Sequence, residues 1–268
     1  MSPLPIEIFG RKLIRSLDLD PVYVGLVRAN LPPKQLRKWL VAYWCFYSCG
    51  VASWLSEHKG YEFWDQMMIA AVNKKPTTIN TRWPRAAERR HFRGAAAVDA
   101  VASLRNKYEG FPSAMVEYII GTKPPPLVFT DVLQRAKEHK CFGPWIGFKI
   151  ADMIDRCLGI KVDFKDSDVF MFDSPSKAAA LVYEERKPPG GTVMWLIKEF
   201  SDLKAPPFFD RRINIQEIET VLCKWHSHAH GKYEVGKDIY EVRHALNQWT
   251  NVSKTAARIL KVMPKEVA

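Results

Sequence analysis

The longest apolar stretch of the chain runs from Trp39 to Leu55 and follows a clear helix-start signal. Pro32-Pro33 precedes a run of good helix formers, and proline is favoured at the first position of a helix. The pattern predicts a single helix from about Pro33 to Glu57. Because the second half of this helix is apolar nearly all round, we expect it to be buried inside the protein.

Shorter helical patterns follow along the chain, and brief turns rich in proline, glycine and polar residues separate them. No alternation of apolar and polar residues is long enough to build a sheet, and no internal repeat is visible. The sequence therefore predicts an all-α fold. Beyond the first helix, the predicted helices are Tyr61–Val72, Ala95–Tyr108, Pro112–Ile120, Val128–His139, one that begins near Val193, Ile215–Trp225 and Val235–Trp249.

The composition is that of a folded protein, with 47% hydrophobic and 12% aromatic residues in a chain of 268. This length falls between one large domain and two small ones, and we expect one compact unit with two lobes. Forty Lys and Arg against 29 Asp and Glu give a formal net charge of +11. Such a charge attracts polyanions, so nucleic acid is the first partner to consider; a basic protein with no polyanion partner is the alternative.

The five cysteines are odd in number and lack the spacing of a disulfide framework, which favours a reducing cytoplasm. The start of the chain, Met1 to Pro5, lacks a basic region followed by an apolar run, so we expect no secretory signal. The apolar stretch from Trp39 to Leu55 falls short of the ~20 residues that span a bilayer. The sequence therefore predicts a cytoplasmic protein with no membrane partner.

A basic and aromatic segment lies between Arg82 and Gly94. Guanidinium groups match phosphate oxygens, and aromatic rings can stack on bases, so this segment is a candidate substrate contact. A solvated helix face paired with Glu88 is the alternative. Its cations and histidine are Arg82, Arg85, Arg89, Arg90, His91 and Arg93, and its aromatic residues are Trp83 and Phe92.

A second candidate is the segment from Gly143 to Gly159, which reads as a tight turn that enters a helix. The polar side of that helix holds Lys149, Asp152 and Arg156 at positions i, i+3 and i+7, so these side chains share a face. The backbone N–H groups at the helix start would suit a phosphate. A surface ion pair between Lys149 and Asp152 is the alternative interpretation.

A third candidate is the stretch from Cys223 to Asp238, which contains His226, His228 and His230. Three histidines at two-residue spacing share a face only in an extended strand, and the spacing is not that of a zinc finger. We therefore predict no metal site here and no cofactor, but a basic loop, Lys224 to Lys237, that closes over DNA or substrate. Its candidate substrate contacts are Lys224, His228, Lys237 and Asp238; Cys223 fits packing better than nucleophilic catalysis.

The second segment resembles the helix-hairpin-helix motif of DNA glycosylases of the endonuclease III type. Pro144-Trp-Ile-Gly147 matches the hairpin, and Lys149 stands at the position of the family's lysine. Asp166 stands at nearly the spacing of the family's catalytic aspartate, and the neighbouring Asp163 and Asp168 are alternatives for that role. Asp166 could instead serve as a helix cap, which is a purely structural role. Two departures are Trp145, where the hairpin usually has glycine, and the absence of the cysteines for an iron–sulfur cluster.

A closer resemblance covers most of the chain. The chain resembles the glycosylase-related thymine-hypermodification family of phages, which includes α-glutamyl/putrescinyl thymine pyrophosphorylases, amino acid:DNA transferases and the helical domain of hydroxymethyluracil DNA kinases. The kinases add a nucleotide-binding domain, whose Gly-x-x-x-x-Gly-Lys-Ser/Thr loop this sequence lacks. The matching motifs are Trp44-Cys-Phe-Tyr47, the segment Arg82–Gly94, Gly143-Pro-Trp-Ile146, Phe148-Lys-Ile-Ala-Asp-Met153, Cys223-Lys-Trp225 and Gly236-Lys-Asp238.

The resemblance implies a stand-alone transferase with a helix-hairpin-helix, DNA-glycosylase-like fold of two helical lobes and a central cleft. The hairpin core would lie at about 128–175 and a C-terminal helical part at about 190–268 of one domain, 1–268. The enzyme would act on double-stranded DNA carrying 5-(pyrophosphoryloxymethyl)uracil. It would displace pyrophosphate with the amine of a free amino acid such as glycine.

The same resemblance suggests roles for individual residues. Lys149 and three arginines, Arg85, Arg89 and Arg93, would hold the diphosphate, with Arg82 and His91 as further substrate contacts. Asp152 or Asp166 would accept the proton of the amine or anchor its ammonium. Trp83, Trp145 or Phe148 would stack on a flipped base or fill its place. Two alternatives stay open: a glycosylase or lyase with Lys149 as nucleophile and Asp166 as activator, and a non-catalytic DNA-binding module.

Overall fold

The computed structural model describes residues 4–72, 89, 92, 94–165, 167 and 172–265. These residues are mostly helical, which confirms the all-α class. The two strands, β1 (Leu127–Val128) and β2 (Val162–Asp163), form a single short pair. The helices are α1 (Ile6–Arg15), α2 (Pro21–Ala29), α3 (Pro33–Phe46), α4 (Cys49–Leu55), α5 (Gly60–Ala71), α6 (Gly94–Tyr108), α7 (Ala114–Ile120), α8 (Phe129–Lys137), α9 (Pro144–Leu158), α10 (Asp173–Arg186), α11 (Gly191–Glu199), α12 (Ile215–Ala229), α13 (Lys237–Asn247) and α14 (Lys254–Val262).

The chain forms two compact units that interleave in sequence. The first unit comprises Met1–Val24, Asp163–Glu241 and Met263–Ala268, and the second comprises Gly25–Val162 and Val242–Val262. The predicted hairpin core, 128–175, and the predicted C-terminal part, 190–268, each contribute residues to both units. The single domain with a central cleft stays a prediction.

The first unit is built around α12, against which α1, α10 and α11 pack. The apolar side chains of α1 recur at helical spacing and are buried, among them Phe9 and Leu13. Between them, Gly10 lets the chain approach closely, because a Cβ there would lie 2.5 Å from the Cζ atom of Phe200. The core of this unit therefore depends on a small residue on α1.

The second unit contains the apolar stretch that begins at Trp39, and the structure corrects its predicted form. The chain leaves α3 at Tyr47, whose φ of 51° lies in the left-handed region, and starts α4 two residues later. The single helix from Pro33 to Glu57 is therefore wrong, because an ordinary L-residue ends the helical turn there. The predicted burial is correct, since both helices are enclosed in the unit.

The other predicted helices lie within a few residues of α5, α6, α7, α8, α11 and α13. The helix predicted to end at Trp225 continues to Ala229 as α12. Four helices were not predicted, namely α1, α2, α10 and α14. All five cysteines are free thiols, and burial raises the pKa of Cys45 and of Cys49 to about 12. Within the described ranges, no helix combines the length and the apolar character needed to cross a membrane.

Gly50 on α4 provides a test of the packing in the second unit. A Cβ at this position would lie 2.3 Å from the Cδ1 atom of Trp249, which is fully buried. Overpacking of this kind costs about 1–3 kcal/mol. The higher helix propensity of alanine offsets only part of this cost, because Gly50 lies near the start of α4. We expect Gly50→Ala to lower the free energy of unfolding by about 1–2 kcal/mol in urea titrations.

The matched control is Gly110→Ala in the same unit. Its added Cβ would lie 3.8 Å from Tyr61, an ordinary van der Waals contact, so its stability should stay within about 0.5 kcal/mol of the wild type. Equal stability of the two variants would show that Trp249 moves aside without cost.

Candidate active site

Helix α9 carries the charged residues that the sequence singled out. It begins at Pro144 after the extended residue Gly143, and it ends at Gly159, whose φ of 69° provides a left-handed cap. The N–H of Gly147 donates to the carbonyl oxygen of Gly143 at 3.0 Å. The predicted tight turn before the helix is therefore wrong: residues 144–147 already form the first turn of α9.

Helix α9 packs on α8, and a small residue allows the close contact. A Cβ on Gly147 would lie 2.4 Å from the Cδ1 atom of Leu133. The two helices are joined by the short segment 138–143. Two packed helices with a short connection agree with the predicted helix pair, while its equivalence to the glycosylase hairpin stays a prediction.

The charged side chains of α9 are buried. The exposed fractions are 7% for Lys149, 0% for Asp152 and 2% for Arg156. Arg156 and Asp152 form an ion pair one turn apart, with 3.4 Å between Nη1 and Oδ2. The alternative of a surface pair between Lys149 and Asp152 is therefore wrong, because water does not reach this face freely.

Buried aromatic rings lie beside Lys149 on this part of α9. Phe148 is fully buried and meets the ring of Phe129 edge to face, with 5.8 Å between centroids. The Nζ atom of Lys149 lies 5.5 Å from the centroid of the Phe148 ring. Charges in such surroundings interact more strongly than they do in water. The enclosed position of Phe148 leaves Trp145 as the better-placed described candidate for stacking on a base.

Trp145 ends a row of aromatic side chains within the second unit. Trp39 and Tyr43 lie one turn apart on α3, and Tyr47 follows at the end of that helix, with ring centroids 4.7 and 4.6 Å apart along the row. Tyr47 then meets Trp145 edge to face at 5.0 Å. The buried end of the row fixes its half-buried end, so Trp145 and Tyr47 present a preorganised aromatic surface.

Arg89 occupies the interior of the second unit and not a solvated face. Its Nε donates to the carbonyl oxygen of Cys45 at 3.1 Å, and Nη1 donates to that of Cys141 at 2.9 Å. The guanidinium also lies near the rings of Phe92 and Phe142. Burial lowers its pKa from the ordinary arginine value. These contacts favour a structural role, and the predicted contact with diphosphate stays a prediction.

Several predicted site residues lie outside the described part of the chain. The aspartates among them are Asp166 and Asp168. The members of the basic and aromatic segment are Arg82, Trp83, Arg85, Arg90, His91 and Arg93. Their assigned roles stay predictions.

The predicted basic loop from Lys224 to Lys237 is wrong in its first half, because α12 continues through Ala229. His228 lies on this helix, and its Nδ1 pairs with the carbonyl oxygen of Tyr233 while its Nε2 accepts the N–H of Leu4. This pattern requires the neutral tautomer with the proton on Nδ1. Both ring nitrogens are therefore used inside the first unit, which favours a structural role for His228.

Of the other two histidines of this stretch, His226 lies on α12 and His230 caps the C-terminus of that helix. His230 Nδ1 pairs with the carbonyl oxygen of His226 at 2.7 Å, and the two rings are 4.5 Å apart. Among the described residues, no group of three His, Cys, Asp or Glu side chains is placed to hold a metal ion.

Asp18 organises the remaining residues of this region, and sequence analysis did not identify it. Its buried carboxylate accepts hydrogen bonds from the hydroxyl of Tyr233, the N–H of Gly236 and the N–H of Ile239. Burial, together with the carboxylates of Asp238 and Asp18, holds the pKa of Tyr233 far above its ordinary value. Asp18 thus anchors the start of α13, and no local pattern in the sequence indicates this role.

The predicted contacts Lys224, Lys237 and Asp238 surround this anchor. Lys224 pairs with Asp238 at 2.6 Å, and its Nζ also donates to the carbonyl oxygen of Asp18. Lys237 is exposed and donates to the carbonyl oxygen of Lys232 at 2.8 Å. The contacts of Lys224 and Asp238 favour a structural role, and the predicted substrate contacts stay predictions.

Comparisons with known proteins agree over nearly the whole chain. A family model described as amino acid:DNA transferase matches residues 11–233. The glycinyltransferase of Pseudomonas phage PaMx11 is 45% identical over 98% of this chain and 97% of its own length. The putrescinyltransferase of Delftia phage PhiW-14 is 25% identical over 97% of this chain and 83% of its own length.

The Asp18 anchor leads to a test that separates structural from catalytic roles. Tyr233→Phe removes the hydroxyl donor to a buried carboxylate, and such a loss costs about 1–3 kcal/mol. We expect the free energy of unfolding to fall by that amount while turnover per folded molecule is unchanged. Tyr183→Phe on α10, where the side chain is exposed, is the control and should alter neither quantity. A stable Tyr233→Phe protein with reduced turnover would instead place this cluster in the reaction.

Proposed function

Because the chain belongs to the amino acid:DNA transferase family, we propose that it joins the amine of glycine to an activated thymine derivative in DNA. The family match and the identity to a phage glycinyltransferase along nearly the full length establish amino acid transfer to DNA as its general activity. The proposed acceptor is 5-(pyrophosphoryloxymethyl)uracil in double-stranded DNA. Glycine is the proposed donor because the more similar of the two relatives is named for it.

The proposed reaction is a displacement at the exocyclic methylene carbon of the base. The lone pair of the amine nitrogen forms a new C–N bond, and the C–O bond to the diphosphate breaks. The electron pair of that bond departs with pyrophosphate, and the amine proton passes to a carboxylate of the protein or to water. The bond between base and sugar is not broken, so the product stays part of the DNA strand.

The buried charged face of α9 is the observation that carries this proposal. Lys149, Asp152 and Arg156 lie in successive turns of one helix, and all three are enclosed. Burying charges costs free energy that apolar side chains would not cost, so such groups mark sites where charge takes part in function. A preorganised cation in surroundings of low dielectric stabilises the negative charge that develops on a leaving diphosphate.

Within this site, Lys149 is proposed to bind the diphosphate, with Arg82, Arg85, Arg93 and His91 as further contacts. Arg89 is left out because carbonyl groups and aromatic rings enclose its guanidinium. Asp152 or Asp166 is proposed to take the proton of the amine or to hold its ammonium. Asp152 is already oriented by Arg156, which fixes its carboxylate relative to Lys149.

The acceptor base is proposed to leave the helix stack before it reacts, because an extruded base can be enclosed by the catalytic side chains and kept from water. Trp145 and Tyr47 offer a half-buried aromatic surface on which an extruded base could stack. Trp145 is therefore proposed to contact the flipped base or the neighbours that it leaves.

A direct assay distinguishes the possible activities. Duplex DNA with pyrophosphorylated hydroxymethyluracil is incubated with the protein and glycine, then digested to nucleosides for mass spectrometry. A glycine-modified nucleoside supports the proposal. A free base or an abasic product would establish a glycosylase or lyase, and unchanged DNA with intact binding would leave a non-catalytic module.

Lys149→Met tests the leading assignment, since methionine keeps the apolar stem and removes the charge. We expect turnover to fall by about 100-fold or more, the usual effect of losing one preorganised electrostatic contact to a transition state. Lys137→Met on α8, where the lysine is exposed, is the control and should keep wild-type turnover. Circular dichroism of both variants checks the fold. Wild-type turnover in folded Lys149→Met would remove this residue from the mechanism.

The two aspartates are distinguished by Asp152→Asn and Asp166→Asn. Asparagine keeps the shape of the side chain and cannot take the proton, so the variant of the true base should lose turnover at every pH from 6 to about 9. The other variant should retain a substantial rate. Retained rates in both would mean that water receives the proton.

A further inference from the structure

A basic groove on the second unit shares no residue with the candidate site on α9. It has a volume of about 830 Å³ and lies where α3, α5 and α14 begin and where α4 ends. We call it the α3/α5/α14 groove. Its charged lining residues are Lys34, Lys38, Lys59, Lys254, Arg258 and Glu57.

The charge balance of the groove is strongly positive. Glu57 is already engaged, since its Oε1 accepts the hydroxyl of Ser253 at 2.8 Å and the N–H of Thr255 at 2.6 Å. Three exposed lysines, Lys34, Lys59 and Lys254, have no ion-pair partner among the described residues. Unpaired cations concentrated in one concave surface raise the local concentration of anions.

Backbone groups add to this preference. Neither α3 nor α5 has a side chain that caps its N-terminus, and both helices begin at the groove. The first N–H groups of a helix lack partners within it, and the helix dipole places partial positive charge at the same end. Two such helix starts therefore face the same groove that the lysines line.

Lys38 is the partly buried cation of the groove. Its ammonium donates to the carbonyl oxygen of His58. Burial, and to a lesser extent the charge of Lys59, lowers its pKa from the ordinary lysine value. A bound anion would reverse this effect, so the charge on Lys38 and anion binding favour each other.

We propose that the α3/α5/α14 groove binds the phosphodiester backbone of the DNA substrate outside the reaction site. This inference rests on the proposed function, in which DNA is the substrate, and adds a second surface that contacts the DNA. Its cations are four lysines and one arginine. Lysine ammonium groups act as point charges and suit successive phosphates along a backbone, whereas tight binding of a single anion favours the bidentate guanidinium groups of arginine. Phe111, 73% exposed on the rim, offers an apolar surface for a sugar or a base.

The test uses the triple variant Lys34→Ala, Lys59→Ala, Lys254→Ala in the full chain. Because none of these side chains has an internal ion pair, the fold should be retained, as circular dichroism would show. The matched control removes three other exposed lysines, Lys12→Ala, Lys137→Ala, Lys198→Ala, with the same change in net charge. Binding of a short unmodified duplex is followed by fluorescence anisotropy over a series of salt concentrations.

The groove variant should bind the duplex at least about tenfold more weakly at moderate salt, and the slope of log Kd against log salt should fall by about two to three. The control should differ from the wild type by less than about twofold in Kd. Equal affinities of the two triple variants would overturn the proposal. The proposal would also be overturned if the groove variant lost binding of inorganic pyrophosphate but bound the duplex as tightly as the wild type. That result would show that the groove binds the free anion.

This result is independent of the proposed reaction, because the duplex is unmodified and no amino acid is present. If the protein fails to modify DNA while the groove variant still loses affinity, the proposed chemistry fails and the groove assignment stands. On modified DNA at working turnover, the groove variant should raise KM for DNA and leave kcat unchanged. A fall in kcat alone would contradict a pure binding role.

Discussion

The ion pair between Arg156 and Asp152 is buried in the second unit, and the positions of the other charged side chains of α9 depend on it. Each buried charge is stabilised in part by the other, so the pair resists unwinding of the turn of α9 that carries it. Lys149 lies one turn earlier on the same helix, so the helix backbone holds it in a fixed position relative to the pair. In the proposed reaction the leaving group is multiply charged, and a rigid site favours its departure because the charges of the protein need not reorganise.

Two physical classes of positive charge are found among the described residues. Arg156 and Arg89 are enclosed and hydrogen-bonded, and their energetic effect comes from what surrounds them. Lys34, Lys59 and Lys254 of the α3/α5/α14 groove are exposed, and salt screens their effect. The first class favours a defined geometry at one place, and the second favours attraction along a strand. An enzyme that transfers an amino acid to one position of a long polyanion needs both.

The sequence predicted the features that depend on local pattern. Pro33 marked the start of α3, the all-round apolar stretch indicated burial, and the order of several motifs indicated the family that the comparisons confirm. The break at Tyr47 was not predictable, because a tyrosine at positive φ carries no glycine or asparagine signal. The extension of α12 was missed because alternate histidines suggested a strand or loop. In α1, by contrast, Ile6, Phe9 and Leu13 follow helical spacing, so that helix could have been found.

The candidate site was predictable in its residues and not in its surroundings. The shared face of Lys149, Asp152 and Arg156 follows from helical geometry alone. That this face is covered depends on which helices pack over it, and no local pattern specifies that partner. The role of Asp18 also depends on distant parts of the chain. The three groups that donate to its carboxylate lie more than 200 positions away, so no local signal could identify it.

The interleaving of the two units has a consequence for how such proteins can diversify. Neither unit corresponds to one uninterrupted stretch of gene, since the first is assembled from three segments and the second from two. A single crossover between two related genes would therefore combine parts of both units from different parents and leave mismatched cores. Exchange of a whole unit requires several coordinated crossovers, so new substrate preferences in such an architecture should arise mainly through point changes and short insertions.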